Sequence, residues 1–140
     1  TERVVGEAHP QGDSRIKAFK ERPQAQQIQM LNLIRFNAET ISGVGLDGTS
    51  GAEGYQAYQD FMDEEWVPNV GMEFPFESYP CSTIIGPQDE HWDKAFLVHY
   101  PSREAFRGMV TSADFRGEKQ TWRDASVLDS RLIETTPVVR

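Results

Sequence analysis

Residues 89–106 read DEHWDKAFLVHYPSREAF, eighteen letters that hold a turn, a strand and a helix start in succession. Ala95 to Tyr100 alternates, with Phe96, Val98 and Tyr100 on one side and Ala95, Leu97 and His99 on the other. Pro101 carries no ladder donor and stops the strand. Ser102 suits a helix N-cap, and Glu104 places a carboxylate in the first turn, where it meets the positive end of the helix dipole. Both faces of this strand are largely apolar, so the sheet that contains it needs cover on two sides.

Upstream, Met72, Phe74 and Phe76 alternate with Glu73, Pro75 and Glu77, a strand kept to an edge or a bulge by its proline. Ser82 to Ile85 reads as a further strand piece that would pair with Ala95–Tyr100 as a hairpin across the Gly86-Pro87 turn. Before these, Gln27 to Phe36 is an apolar strand: Ile28, Met30, Ile34 and Phe36 share a phase with Asn32, while Leu31 and Leu33 share the other with Gln29 and Arg35. A glycine-bearing loop, Asn37 to Gly51, precedes a helix that opens on a Ser50/Glu53 capping box, lays Tyr55, Tyr58, Met62 and Trp66 along one face, and is expected to end at Pro68 and Asn69. Downstream, the helix begun at Ser102 buries Phe106, Met109 and Val110. A second amphipathic segment runs from about Phe115 through Trp122 to Ala125, and residues 128–135 alternate as a last strand. The order strand, helix, strand, strand, helix, strand predicts an α+β, ferredoxin-like βαββαβ fold with an antiparallel sheet. Residues 1–26 form an N-terminal arm with a short accessory helix after Asp13 or Ser14, and residues 27–140 the single domain.

Composition narrows the function classes. With 14 Lys and Arg against 22 Asp and Glu the net charge is −8, which opposes phosphate backbones and anionic membranes and leaves a small molecule or another protein as partner. Cys81 is the single cysteine, so an intrachain disulfide and a cysteine zinc site are excluded, in keeping with a cytoplasmic protein. No apolar run reaches the roughly twenty residues of a membrane span. His9, His91 and His99 lack a ligand spacing with carboxylates, so no metal is expected. In a ferredoxin-like unit the helices cover one sheet face only. The apolar second face then predicts a homodimer by face-to-face sheets.

Six segments also carry a family resemblance: MLNLIRF at 30–36, SGAEGYQAY at 50–58, IIGPQDEHWDKAF at 84–96, YPSREAF at 100–106, MVTSADF at 109–115 and DSRLI at 129–133. Together they resemble the longer members of the domain-of-unknown-function family thirteen-thirty from about Ser14 onward. The resemblance implies the dimeric α/β barrel superfamily, in which two ferredoxin-like sheets pair. The chain departs from the family in the interrupted MEFPFESYPCS segment, and in Trp122 before Arg123, where the family often has a His. In similar barrels that act as cofactor-free oxygenases or haem-degrading enzymes, an Asn on the first strand works with a Trp and sometimes a His. Asn32, Trp92 and His99 have these residue types.

The candidate site follows from polar residues at apolar positions. Asn32 interrupts an apolar phase and would hydrogen-bond a substrate carbonyl or a developing oxyanion. The alternative is a structural bond to a neighbouring loop. His99 titrates near neutral pH and would move a proton, although a lone strand-end His is more often structural. Arg35 and Arg123 are placed to clamp a substrate carboxylate, and Tyr58, Trp66, Trp92 and Trp122 to line the pocket; aromatics at helical spacing are also simply core. The expected ligand is a small organic acid or aromatic carbonyl compound. It would be bound between sheet and helices and acted on, if at all, without a tightly bound cofactor. A non-catalytic binding module or a structural dimer is the alternative.

Overall fold

A computed structural model describes residues 12–40 and 42–140; the first part of the predicted N-terminal arm, residues 1–11, and His9 with it lie outside the described residues. The elements in chain order are α1 (Gly12–Glu21), β1 (Ile28–Phe36), α2 (Gly51–Phe61), a π-helical stretch (Met62–Trp66), α3 (Val67–Val70), β2 (Glu73–Ser78), β3 (Lys94–Tyr100), α4 (Arg103–Thr111), α5 (Glu118–Ser126) and β4 (Val127–Thr135). The four strands make one open antiparallel sheet in the order β2-β3-β1-β4, the ferredoxin-like arrangement, and the sheet does not close into a barrel.

Local chemistry sets the element ends. The Ser50 hydroxyl accepts from the Glu53 amide at 3.1 Å and the Glu53 carboxylate accepts from the Ser50 amide at 3.0 Å, a complete capping box. Ser102 caps α4 by accepting from the Ala105 amide at 3.0 Å. Pro75 sits in an edge strand whose register slips between Glu73 and Phe76. Two expectations are corrected. Pro68 does not end the helical run: it follows the π-helical turn within α3, and Gly71 at φ 81° ends the segment in the left-handed region. Ser82–Ile85 is no strand, because both ladder edges of β3 are already taken by β1 and β2. β2 therefore meets β3 across a long loop rather than a tight hairpin.

Register fixes the faces. Ile28, Met30, Asn32, Ile34 and Phe36 of β1 share a face with Phe96, Val98 and Tyr100 of β3, and α2, α4 and α5 cover it. The core lies there, with Tyr55, Tyr58, Met62, Met72, Phe106, Met109 and Val127. α2 packs closely on the end of α5: a Cβ on Gly54 would lie 2.3 Å from the Ser126 hydroxyl, so only glycine fits. The second face, with Leu31, Leu33, Ala95 and Leu97 half-buried and Phe76 and Ile133 more than 40% exposed, has no covering element among the described residues.

α1 is tied to this core through Arg103, which is 2% exposed. Its guanidinium donates to Glu134 at 2.9 and 2.6 Å, to Gln26 at 3.1 Å and to the Pro23 carbonyl, and it lies over the Phe19 ring. The long β1–α2 loop is pinned as well. The Trp122 indole donates to the Val44 carbonyl at 2.9 Å, and Asn37 bridges to Ala125 and Ser126 at 2.8 and 2.9 Å.

Candidate functional site

Between the helix-facing side of the sheet and α2, α4 and α5 lies a cavity of about 370 Å³, near the lower end of the roughly 300–1,000 Å³ usual for small-molecule pockets. Its walls are mainly Met62, Met72, Phe74, Val98, Met109 and Phe115. Against these stand a few polar groups: Asn32 and Ser130 from the sheet, Tyr55, Tyr58 and Gln59 from α2, Tyr100 from β3, and Gln120 and Arg123 from α5. The chain puts them together by two simple periods. Tyr55, Tyr58 and Gln59 are three and four apart on α2, as are Gln120 and Arg123 on α5, while Asn32 and Tyr100 keep the inward phase of their strands.

The electrostatics favour a bound anion. Arg123 lines the cavity and has no ion-pair partner among the described residues. The Tyr55 and Tyr58 phenols adjoin it. Burial pushes the Tyr58 hydroxyl up to about 12 and Tyr55 higher still, and in both the Arg123 charge opposes the shift in part. Tyr100 is raised by burial with the other two tyrosines reinforcing it. All three phenols are therefore neutral hydrogen-bond donors near pH 7. The Gln120 Oε1 atom is buried without a hydrogen-bond partner, an acceptor left facing a space that a ligand donor would satisfy. Asn32 donates to the Met30 carbonyl at 3.2 Å, which leaves its second N–H and its oxygen for the cavity.

A buried lysine supports this group from behind. Lys94, its side chain 8% exposed, donates to the Gln59 side chain, stands 3.9 Å from Glu77, and lies 5.9 and 5.5 Å from the Tyr55 and Phe96 ring centres. Burial lowers its pKa, while Glu77, Asp63 and Asp60 oppose the change.

The structure brings together three of the residues singled out from the sequence, Asn32, Tyr58 and Arg123, and places the rest elsewhere. His99 pairs in register with Gln29 on the uncovered face, so the sheet separates it from Asn32 and the two cannot act on one ligand in one chain. Arg35 shares that uncovered face, opposite Asp129. Trp92 precedes β3, donates to Glu90 at 3.3 Å and has Arg131 5.0 Å over its ring. Trp66 stands behind the lining, edge-on to Phe115 at 5.6 Å, and Trp122 is occupied with Val44 and with Lys119, 3.7 Å from its ring centre. Tyr100 and Gln120 were not foreseen. Tyr100 shares the phase of Phe96 and Val98, and Gln120 stands one turn before Arg123, so spacing held a signal for both.

No family model and no curated protein matches the chain. Among solved structures it is similar to a protein of unknown function from Rhodopseudomonas palustris, with 31% identity over the whole of both chains and a TM-score of 0.82. The methylated form of that protein gives 33% identity over 96% of this chain and 97% of the other, with a TM-score of 0.81. A dimeric protein of unknown function and ferredoxin-like fold from Bacteroides fragilis is far more remote, at 8% identity over 78% of this chain and 94% of the other, with a TM-score of 0.42.

Proposed function

Because the chain belongs to the family of the Rhodopseudomonas palustris protein, whose name records no activity, we propose its function from the cavity: it binds a small organic acid with an apolar body, its carboxylate held by Arg123. The observation that carries this reading is a guanidinium with no ion-pair partner among the described residues, set on a mainly apolar cavity. Arg123 is half-buried, and a partly desolvated charge without a counter-ion is unfavourable, so a ligand carboxylate would supply the missing partner. Tyr55, Tyr58 and Asn32 would add neutral donors around it. Among the described residues the lining contains neither a carboxylate nor a histidine, and its phenols are held neutral, so the described lining is better equipped to hold a ligand than to abstract a proton. Binding is thus the primary activity. A cofactor-free transformation would have to use Asn32 and the phenols as donors to a developing oxyanion.

The test is calorimetric titration of the full chain with a panel of short aliphatic and aryl carboxylates. Arg123→Met is expected to weaken binding about 10- to 100-fold, the worth of a charge-assisted hydrogen bond. Arg35→Met on the opposite face is expected to leave it unchanged. Equal affinity of wild type and Arg123→Met would sink the assignment.

The proposal extends to assembly and place. The uncovered apolar face supports a homodimer with sheets face to face, and the exposed lone Cys81 fits a reducing cytoplasm. No helix among the described residues is long and apolar enough to cross a membrane. The finer assignment, to the longer members of family thirteen-thirty, rests on segments such as MLNLIRF and IIGPQDEHWDKAF.

A further inference from the structure

A second hollow, a groove of about 720 Å³, runs between α1, α4 and β4. Met30, Phe106, Val110 and Leu132 form one side of its lining, and Ile16 and Phe19 of α1 the other. Phe106, Val110 and Leu132 line the cavity as well, so the two hollows are neighbouring compartments separated by three apolar side chains. Ring contacts cross this partition. Phe19 meets Phe106 edge-on at 5.7 Å between centroids, and Phe106 meets Tyr100 edge-on at 5.0 Å. Leu132 takes the helix-facing phase of β4, opposite Asn32, yet is 56% exposed, and Ile16 is 46% exposed. Apolar surface on both sides of the partition is therefore left to water.

Among the described residues, basic side chains gather along the groove. Lys20, Arg22 and Arg107 contribute to its lining, and among the described lining residues Glu134 is the one carboxylate, which already bonds Arg22 and Arg103. In a protein of net charge −8 this local excess favours the approach of an anion.

We propose that cavity and groove take one ligand between them, an unbranched carboxylate amphiphile. Its head sits at Arg123 and its alkyl tail passes Phe106, Val110 and Leu132 into the groove beside α1. This rests on the reading of Arg123 as the anion holder and adds the class of ligand: an extended chain rather than a compact ring. The tail would replace water on Leu132 and Ile16, which supplies the driving force.

The experiment titrates the full chain with butanoate, hexanoate, octanoate and decanoate, each below its micelle threshold. Affinity is expected to rise about fourfold per added methylene through the series. Ile16→Glu and Ala18→Trp, both on the exposed groove side of α1 and outside the cavity, are expected to stop the rise beyond hexanoate and to leave the two shortest acids bound as in wild type. Either variant serves if the other folds poorly. Affinity independent of chain length in wild type, or a rise that survives in both variants, overturns the extended ligand. If butanoate and hexanoate still bind and lose affinity in Arg123→Met, the cavity reading stands without the groove. Binding of no acid at all removes both.

Discussion

On the side toward the helices, β1 and β3 bury Ile28, Met30, Ile34, Phe96, Val98 and Tyr100. On the other side the same two strands present Leu31, Leu33, Ala95 and Leu97, with Leu31 opposite Leu97 and Leu33 opposite Ala95. The two rows are similar in composition. They differ in what lies above them: three helices on one side, and none of the described residues on the other. Burying a leucine fully contributes about 1.5–3 kcal/mol, so the helix face stabilises the isolated chain, whereas the uncovered face can contribute its full share only after association. Polar residues follow the same division. The helix face keeps the few that point into a cavity, and the uncovered face keeps His99, Arg35 and Arg131, which fit a solvated or interfacial surface better than a ligand pocket.

The largest effect expected on this contrast comes from Arg103, whose ion pair with Glu134 closes the helix face at the end where α1 is attached. Arg103→Ala leaves Glu134 without its main partner and is expected to cost about 3–5 kcal/mol in urea unfolding. The double variant Arg103→Met with Glu134→Leu removes both charges and should recover most of that loss. A single-variant cost below about 1 kcal/mol would mean that the helix face closes without this pair.

A finer test uses neighbours in sequence that point opposite ways. Ile34 is fully buried under the helices, so Ile34→Ala is expected to cost about 2–5 kcal/mol at any protein concentration. Leu33→Ala lies on the uncovered face. In dilute chain it should behave as a surface change, within about 0.5 kcal/mol, and its effect should appear instead as weaker association in sedimentation. Equal, concentration-independent losses for both would erase the distinction between the faces.

Much of this was legible from sequence because the signals are local. The Ser50 and Ser102 caps, the Pro75 edge strand and the alternation of β1 and β3 each depend on residues a few positions apart. Ser82–Ile85 misled for the opposite reason: β-branched residues favour an extended chain, but a strand needs a free ladder edge. Without one, Ile84 and Ile85 are 88% and 94% exposed. The site was half legible. Asn32 showed itself as a polar break in an apolar phase, but phase within a strand does not say which phase of the next strand shares its face. That depends on register, and register put Asn32 beside Phe96 and His99 beside Gln29. Lys94 escaped notice because a lysine at a strand's first residue ordinarily reaches water, whereas this one is held under Gln59 and Tyr55.

The smallest expected effect is a pH dependence that only the helix face can produce. Tyr55, Tyr58 and Tyr100 are buried on that side, and burial raises each phenol, Tyr58 to about 12. An unfolded chain ionises tyrosine near pH 10. Below that pH both states hold the proton, and the stability linked to it is complete. Between about pH 10 and 12 the unfolded chain releases protons that the folded chain retains, so stability falls by up to about 1.4 kcal/mol per pH unit for each phenol. Urea midpoints taken from about pH 9 to 11 should therefore decline. Tyr58→Phe should flatten the decline by one phenol's share, whereas Leu33→Ala, on the other side of the sheet, should leave the slope unchanged. Midpoints that stay level across that range in wild type would show the three hydroxyls to be hydrated in the folded state. The cavity would then be wet enough to screen Arg123, which would remove the main reason for expecting an anion to bind there.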